Sequence, residues 1–457
     1  MAVSCADHYD GDETWSPQVK NTTLTSPEAN KISVTSSPDG SSMTIAWPVV
    51  YGAGGYSVAL YNVNNPDNPV LIKTDTIDGC NFSANREEDT NYSLDIRTLG
   101  NQKHNNQEAQ EPTKYKFNTF LPTFAEIPEG DLKAWFDANP IPENNATHLC
   151  YDLVPGGNYT LSGEIDFAGH QVTLRSSSKT IHAKLSVGNG AKLQTWAGFT
   201  LKYLDIDCTN ANKALVELSA TPDDSIKNLV GTSNYYFIEK PIVFQGCNIN
   251  GLNAPLIADA DGSKYVVRTL LVNDCLVQIT STTLIPISLR AGSYATDLTV
   301  KNSTIYATEK GKSAFLQYNG RPKELNDDSE KQCISFINTT LYQIAYNSNF
   351  RGDTRTQGQK SNYFTVERCI IVDCGKDNFC QSLLRQASSN PTVSYSKNTY
   401  WKDGADKSAS QTGDGCDQTG TALTTDPAFV NPADGDFTPT GAQQVEEHTG
   451  DPRWFNN

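Results

Sequence analysis

The sequence predicts an all-β protein in which an N-terminal β-sandwich is followed by a right-handed parallel β-helix. Of the 457 residues, 37% are hydrophobic and only 19% are charged, so uncharged polar residues are abundant and a thick helical core is disfavoured. Early segments alternate between apolar and polar residues, which is typical of half-buried strands. From about residue 160 to 400, one short pattern recurs roughly every 30 residues, and such a period indicates a solenoid.

Residues 25–120 are predicted to form the sandwich, behind a polar tether over residues 1–24. Alternation is clear in Met43-Thr-Ile-Ala-Trp47, in Tyr56-Ser-Val-Ala-Leu60 and in Tyr92-Ser-Leu-Asp-Ile96, with turn residues between them. A tryptophan on an early strand and a tyrosine opening a late strand resemble a fibronectin type III module. The resemblance implies that Tyr92 is its corner tyrosine.

Residues 121–160 are predicted to be a linker and N-terminal cap. Residues 129–138 form a short helix that ends before Asn139-Pro140, and this helix is expected to cap the first rung of the β-helix. The β-helix itself is assigned to residues 161–401. The polar residues 402–457 are expected to wrap back over the last rung.

The recurring pattern places a small residue between apolar positions, and each rung is predicted to hold about three short strands. No 3.6-residue period is long enough for helical repeats such as ankyrin or tetratricopeptide. The small residues should stack as an inward ladder, which explains several cysteines without redox chemistry. The chain has no CxxC pair, so a zinc ribbon and a thioredoxin-type site are excluded. The members of this anchor column are Cys247, Cys275, Ser303, Thr339, Cys369 and Asn398.

A second column is predicted from the segments that follow the anchors. With short gaps, Arg290, Tyr318, Arg351 and Arg385 align, and the apolar residue before each arginine is expected to point inward. The arginines should then face solvent. Arg321 and Arg355 lie just beyond, in the following loops. Guanidinium groups bind carboxylates in pairs of hydrogen bonds, so this column predicts binding of an acidic glycan, although pairing with neighbouring carboxylates is an equally good interpretation.

The composition excludes other partners. With 36 basic and 52 acidic residues, the net charge of −16 argues against nucleic-acid binding. No apolar run reaches 18 residues, so no bilayer-spanning segment is expected. Met1-Ala-Val-Ser-Cys5 is similar to the end of a bacterial lipoprotein signal, with Cys5 as the lipidated residue and an acidic stretch after it. The chain is therefore expected at the cell surface, held on the outer membrane by a lipid anchor alone.

The whole layout resembles surface lipoproteins of Gram-negative polysaccharide-utilisation systems. In these proteins a lipid-bearing cysteine, a fibronectin-like module and a β-helix related to pectate lyase and chondroitinase B are joined in one chain. The segments Asp426-Pro-Ala-Phe-Val-Asn-Pro432 and Asp451-Pro-Arg-Trp454 are similar to the ends of those proteins. Their activity is largely unassigned, so the resemblance implies a fold and a location, with glycan-import proteins of the outer membrane as expected partners.

Three functions remain open. The first is a non-catalytic polysaccharide-binding lipoprotein that recognises a pectin-like acidic glycan and needs no cofactor or metal. The alternative is a lyase that cleaves a uronic-acid polymer by β-elimination, with one of the arginines as base and Ca²⁺ on acidic side chains. The third is a purely structural or adhesive solenoid. No motif assigns a catalytic residue. The aspartates offered for calcium are Asp205, Asp207, Asp259, Asp261 and Asp274.

Overall fold

The structure is a computed structural model and describes residues 19–37, 42–143, 147–230, 233–319, 332–352, 362–384 and 391–455. The chain divides into two compact units, Met1–Pro122 and Thr123–Asn457. Each unit has its own hydrophobic core. Within the described residues, no helix is long and apolar enough to cross a membrane.

The first unit contains two antiparallel sheets around one core. The three-stranded sheet consists of Ser33–Ser36, Ser42–Ala46 and Asn81–Asn85. The four-stranded sheet consists of Val70–Ile77, Tyr56–Asn62, Asn91–Thr98 and Thr113–Asn118. Trp47 and Tyr56 pack edge to face in this core. Tyr92 is fully buried, and its hydroxyl accepts a hydrogen bond from the Glu87 backbone N–H at 2.9 Å, which is the contact expected of a corner tyrosine.

The second unit is a parallel β-helix with three walls, here named by their strand number. Each rung contributes a strand to the twelve-stranded wall, then to the eleven-stranded wall and, in the middle rungs, to the six-stranded wall. The twelve-stranded wall has Ala125–Ile127, Leu149–Leu153, Val172–Ser176, Phe199–Lys202, Ile242–Gln245, Tyr265–Asn273, Tyr294–Lys301, Gln332–Ile337, Asn362–Glu367 and Thr392–Ser396, with the hairpin Lys227–Val230 and Ser233–Ile238 beside it. The eleven-stranded wall has Gly130–Asp131, Asn158–Leu161, Ala183–Val187, Leu204–Asp207, Asn248–Leu252, Leu276–Ile279, Thr304–Ala307, Thr340–Tyr342, Ile370–Val372, Thr399–Lys402 and Ala405–Asp406. The six-stranded wall has Glu164–Asp166, Lys192–Thr195, Val216–Leu218, Ile257–Asp259, Ile287–Leu289 and Leu316–Tyr318.

The anchor column lies inside the β-helix, as predicted. All six anchor residues are fully buried, and each directly precedes a strand of the eleven-stranded wall. Their side chains donate hydrogen bonds to backbone carbonyls or accept them from backbone N–H groups. For example, the Cys275 thiol donates to the Phe244 carbonyl at 3.4 Å, and the Asn398 amide donates to the Val366 carbonyl at 2.6 Å. Small polar side chains are therefore needed here because they satisfy backbone groups at the corner.

The described helices lie at the two ends of the β-helix and along its side. Helix Leu132–Ala138 begins at Asp131, whose carboxylate accepts from the Ala134 N–H, and it buries Leu132 and Phe136 in the core. Helix Phe379–Leu384 stands in the ninth rung, the one that contains Cys369, where a strand was predicted. The remaining helical elements are Ala442–Glu447 and the short 3-10 turns Ala29–Lys31, Gln102–His104, Asp224–Ile226, Ser408–Ser410, Pro432–Asp434 and Pro452–Phe455.

The C-terminal segment covers more than the last rung. Leu423 pairs with Thr399 on the last rung, after which the chain forms the hairpin Phe429–Asn431 and Asp436–Pro439. It then runs back over the outer face of the eleven-stranded wall, where Phe437 packs on Tyr306 and Tyr342. The predicted fold class, a β-sandwich followed by a parallel β-helix, is confirmed.

Candidate functional site

A shallow polar groove of about 530 Å³ lies on the outer face of the eleven-stranded wall, over its early rungs. Alternation along each strand sends every second side chain outward, and parallel pairing aligns these side chains from rung to rung. Two ladders result. The first is Asn158, Lys184, Asp205, Asn248 and Leu276, and the second is Thr160, Ser186, Asp207 and Asn250.

His182 lies beside the groove and contacts Asp205, one of the residues that line it. His182 Nδ1 lies 2.9 Å from Asp205 Oδ1, and the Asn248 amide donates to the same oxygen at 2.8 Å. Because a carboxylate only accepts, Nδ1 carries a proton, and in the neutral ring Nε2 would keep its lone pair. The His182 side chain is 18% exposed, so the ring is held in place and still reaches solvent.

Several polar groups in the groove remain available to a ligand. Among the described residues, no side chain pairs with the exposed ammonium of Lys184 or with the hydroxyl of Ser186. At the N-terminal edge, the backbone and side chain of Asn158 donate to Glu129, and these hydrogen bonds lower the pKa of the Glu129 carboxyl. Donors, acceptors and charges of both signs therefore face the same open surface.

The groove ends where the C-terminal segment begins to cover the wall. Thr304 follows Leu276 in the first ladder, and the Trp454 indole N–H donates to the Thr304 hydroxyl at 2.8 Å. Asp451 is buried against the same position and accepts from the Thr304 hydroxyl at 2.8 Å. The partly exposed Leu276 and Trp454 thus give the polar groove an apolar end.

The prediction that the second column forms one outward face is wrong for Tyr318 and Arg351, whose side chains are buried. Tyr318 pairs with Leu289 in the six-stranded wall, and Arg351 forms a bridge with Leu316, so both point inward. Both are 0% exposed. The Arg351 guanidinium donates to the Leu384 carbonyl at 2.5 Å and lies over the Phe364 ring, 5.2 Å from its centroid. Burial raises the pKa of Tyr318, and among the described residues its hydroxyl has no hydrogen-bond partner.

Arg290 is exposed, as predicted, and follows strand Ile287–Leu289. Arg321, Arg355, Arg385 and Cys5 lie outside the described residues. The described members of the predicted column therefore do not form one outward face.

The aspartates offered for calcium are not gathered into one cluster. Asp205 and Asp207 line the groove, whereas Asp259 accepts from the backbone N–H groups of Ala291 and Ser293, at 3.1 Å each. Asp274 pairs with Arg453 at 3.2 Å, and Asp261 is exposed. Within the described ranges, no three His, Cys, Asp or Glu side chains meet in an arrangement that could hold a metal ion.

Sequence reasoning missed Lys184, His182, Ser186 and Asn250. A signal was present, because the first and third residues after the early anchor positions are polar, as in Asp205 with Asp207 and Asn248 with Asn250. In three of the four later rungs the third residue is aromatic, namely Tyr306, Tyr342 and Trp401, and in the rung of Cys369 it is Val372. The change from polar to larger apolar or aromatic side chains marks the boundary between two parts of the eleven-stranded wall. One part is the open groove, and the other is covered by the C-terminal segment.

Three families, each described as a domain of unknown function, match successive parts of the chain. They are DUF4992 over residues 1–154, DUF4957 over residues 157–308 and DUF5123 over residues 334–454. No curated protein matches the chain in sequence. Each matched segment covers less than half of the chain, and none of the three descriptions states an activity.

Solved structures of pectate lyases are similar at low identity. Pectate lyase PelI from Erwinia chrysanthemi, in complex with tetragalacturonic acid, is 10% identical, with 76% of this chain and 88% of that chain covered and a TM-score of 0.19. Pectate lyase Pel3 from Pectobacterium carotovorum is 8% identical, with 84% and 87% covered and a TM-score of 0.14. At such TM-scores the likeness carries no argument about this chain, and its fold rests on its own strand pairing.

Proposed function

We propose that the chain binds an extended polysaccharide along the groove of the eleven-stranded wall. The observation that supports this function is the pair of outward ladders, which repeats polar groups at the rung spacing of about 4.8 Å. A polymer lying along the β-helix axis would meet a new set of donors and acceptors at each rung. Asp205, Asp207 and Asn250 suit sugar hydroxyls, and Leu276 with Trp454 suits the apolar face of a sugar ring.

An acidic sugar is the proposed ligand at Lys184. Its ammonium is exposed and, among the described residues, without an ionic partner, so it can receive a carboxylate without breaking an internal contact. The carboxylates of Asp205 and Asp207 would repel a polymer that carries a charge on every ring. The groove therefore favours a glycan in which uronic acids alternate with neutral sugars over a uniformly charged one.

The test is affinity electrophoresis of the full chain in gels containing homogalacturonan, a mixed neutral and uronic-acid polymer, or a neutral polymer. We expect retardation by the mixed polymer, and about a tenfold weaker affinity for Lys184→Ala, which corresponds to about 1.4 kcal/mol. Arg290→Ala is the matched control, since it removes an exposed positive charge outside the groove. Lost binding in Arg290→Ala with unchanged binding in Lys184→Ala would place the site elsewhere, and no retardation by any polymer would reject the proposal.

A lyase is the second candidate, favoured by the contact between His182 and Asp205. A histidine that donates through Nδ1 to a carboxylate has Nε2 free to accept a proton, which is the arrangement of a general base. In this candidate His182 takes the base role that was predicted for an arginine. Incubation with uronic-acid polymers, with and without calcium, would show rising ultraviolet absorbance from unsaturated uronate, and His182→Gln would abolish the rise. Flat absorbance together with polymer retardation supports binding alone.

The proposed location is the outer cell surface, with Cys5 as the lipid-bearing residue. It is supported by the short sequence before Cys5 and the acidic residues after it. Metabolic labelling with a fatty acid should mark the wild-type protein and leave Cys5→Ala unlabelled. Labelling of both proteins, or of neither, would contradict this location.

A further inference from the structure

We infer that Cys380 and Cys416 form a disulfide bond that fastens the C-terminal segment to the last rungs of the β-helix. Cys380 lies in helix Phe379–Leu384, and Cys416 lies in the segment that follows the last rung. Both are free thiols in the structure, and the Tyr400 hydroxyl lies between the Cys380 sulfur and the carboxylate of Asp417, the residue after Cys416. Each thiol also shifts the pKa of the other, which supports their proximity. Their relative exposures are 0% and 6%.

The backbone around the two thiols is held on both sides. The Cys380 N–H donates to Gln411 Oε1 at 3.0 Å, and the Gln381 side chain donates to the Thr412 carbonyl at 2.7 Å. The Tyr395 hydroxyl donates to the Gly415 carbonyl at 2.9 Å. The Tyr400 hydroxyl donates to Asp417 at 2.9 Å and lies 3.8 Å from the Cys380 sulfur. These contacts bring the residues flanking each cysteine together without the covalent bond.

Other buried cysteines form hydrogen bonds to the backbone inside the β-helix. Cys247, Cys275 and Cys369 are anchor residues whose thiols donate to backbone carbonyls of a preceding rung, at 3.6, 3.4 and 3.3 Å. Cys247 and Cys275 lie at the same corner of successive rungs, where strand pairing already joins the chain. A bond between Cys380 and Cys416 would instead close a loop that contains the whole last rung, so it would stabilise the chain more.

The reaction needs an external oxidant, which we take to be a small-molecule disulfide such as oxidised glutathione. The nearby Cys380 thiol lowers the pKa of Cys416, whereas burial raises the pKa of Cys380, so Cys416 is the first nucleophile. Its thiolate attacks one sulfur of the small disulfide and releases one small thiol. The Cys380 thiol then loses its proton and attacks the Cys416 sulfur, releasing the second small thiol. Two protein thiols are oxidised and one small disulfide is reduced to two thiols.

The test refolds the full chain from guanidinium either with reduced and oxidised glutathione or with dithiothreitol. Remaining thiols are alkylated and the peptides are mapped by mass spectrometry. We expect a cross-linked peptide pair containing Cys380 and Cys416, a loss of two hydrogen masses, and a thermal midpoint higher by about 5 °C than in dithiothreitol. Cys380→Ser and Cys416→Ser should each remove the cross-link and the thermal shift.

Cys374→Ser is the matched control, because Cys374 is also buried and donates to the Val372 carbonyl. It should keep both the cross-link and the thermal shift. The proposal is overturned if natively folded wild-type protein is alkylated at both cysteines after oxidative refolding, or if Cys247 and Cys275 are cross-linked in their place. Peptide mapping of the wild type decides this even if a serine variant fails to fold.

Discussion

Arg351 occupies an interior position that a neighbouring rung fills with leucine. It bridges to Leu316, and its guanidinium donates to the Leu384 carbonyl and lies over the face of Phe364. Such a buried arginine joins three parts of the last rungs through a single side chain. Arg351 therefore contributes to packing inside the β-helix.

Arg351→Ala should lower the free energy of unfolding by about 2–4 kcal/mol, because it leaves a cavity and an unsatisfied buried carbonyl. The measurement is guanidinium unfolding, followed by far-ultraviolet circular dichroism. Arg290 is exposed, so Arg290→Ala should change the free energy of unfolding by less than about 0.5 kcal/mol. Equal stability of both variants would contradict the buried position of Arg351.

Tyr92 gives a second prediction at the residue scale, in the sandwich. Tyr92→Phe keeps the ring in the core and removes the acceptor for the Glu87 N–H, so this unit should lose about 1–2 kcal/mol. Tyr115→Phe, at a partly exposed ring on the next strand, serves as the control and should be nearly neutral. The check is denaturant unfolding monitored by tryptophan fluorescence. A neutral Tyr92→Phe would mean that the corner contact does not stabilise the unit.

From the rung of Leu204 onward, the corner between the twelve-stranded and eleven-stranded walls has one left-handed residue per rung. Asp274, Asn302, Asn338 and Arg368 precede the anchor residues with φ values of 53°, 48°, 47° and 54°. Asn302 also donates to the Asn273 side chain at 3.1 Å and accepts from Asn338 at 3.3 Å. The corner is thus stabilised both by residues that tolerate positive φ and by a short amide ladder.

Asn302→Ala should destabilise the β-helix more than Asn302→Gly, by about 1 kcal/mol. Both variants remove the two amide contacts, but only alanine introduces a Cβ penalty at positive φ. Comparing the two unfolding midpoints isolates the backbone contribution. If the glycine variant is the less stable of the two, backbone strain does not control this corner.

At the scale of the whole molecule, the C-terminal segment decides which part of the eleven-stranded wall is open. Its contacts are specific: Gln444 donates to Thr399, Asp451 joins Thr304 and Thr340, and Lys397 pairs with Glu447 at 2.5 Å. Early rungs have no such cover from the described residues of this segment, and the groove lies there.

Asp451 makes the attachment of this segment dependent on pH. Burial raises the pKa of its carboxyl from 3.8 to about 6. The protonated form is favoured in the folded state, so its stabilising contribution is complete below about pH 4 and is lost as the pH rises through about 6. The pKa shift corresponds to a change of about 3 kcal/mol in the free energy of unfolding across this pH range. Asp451→Asn should remove this part of the pH dependence.

The measurement is the unfolding free energy of wild type and Asp451→Asn between pH 4 and pH 7. Wild type should lose stability relative to the variant as the pH rises across this range. Parallel pH profiles for the two proteins would show that Asp451 has no shifted pKa in the folded state.

The sequence by itself determined the strand-rich class, the sandwich with Tyr92 in its corner, and the solenoid with its inward anchor column. These features are local or periodic, so residue alternation and a repeat of about 30 residues are sufficient to predict them. The anchor cysteines show this well, because their small size and their place in the repeat already indicate an interior ladder.

Only the tertiary structure decided which side chains face the groove. A strand changes face at every residue, so an alignment that is wrong by one position places an interior residue on the surface, as happened for Tyr318 beside Leu289. In the rung containing Cys369, a helix replaces the expected strand. The strand alignment used to predict an outward-facing column therefore does not apply to this rung. The ladder of Lys184 and Asp205 and its boundary at Trp454 depend on rung register and on a segment distant in sequence, and neither follows from local pattern.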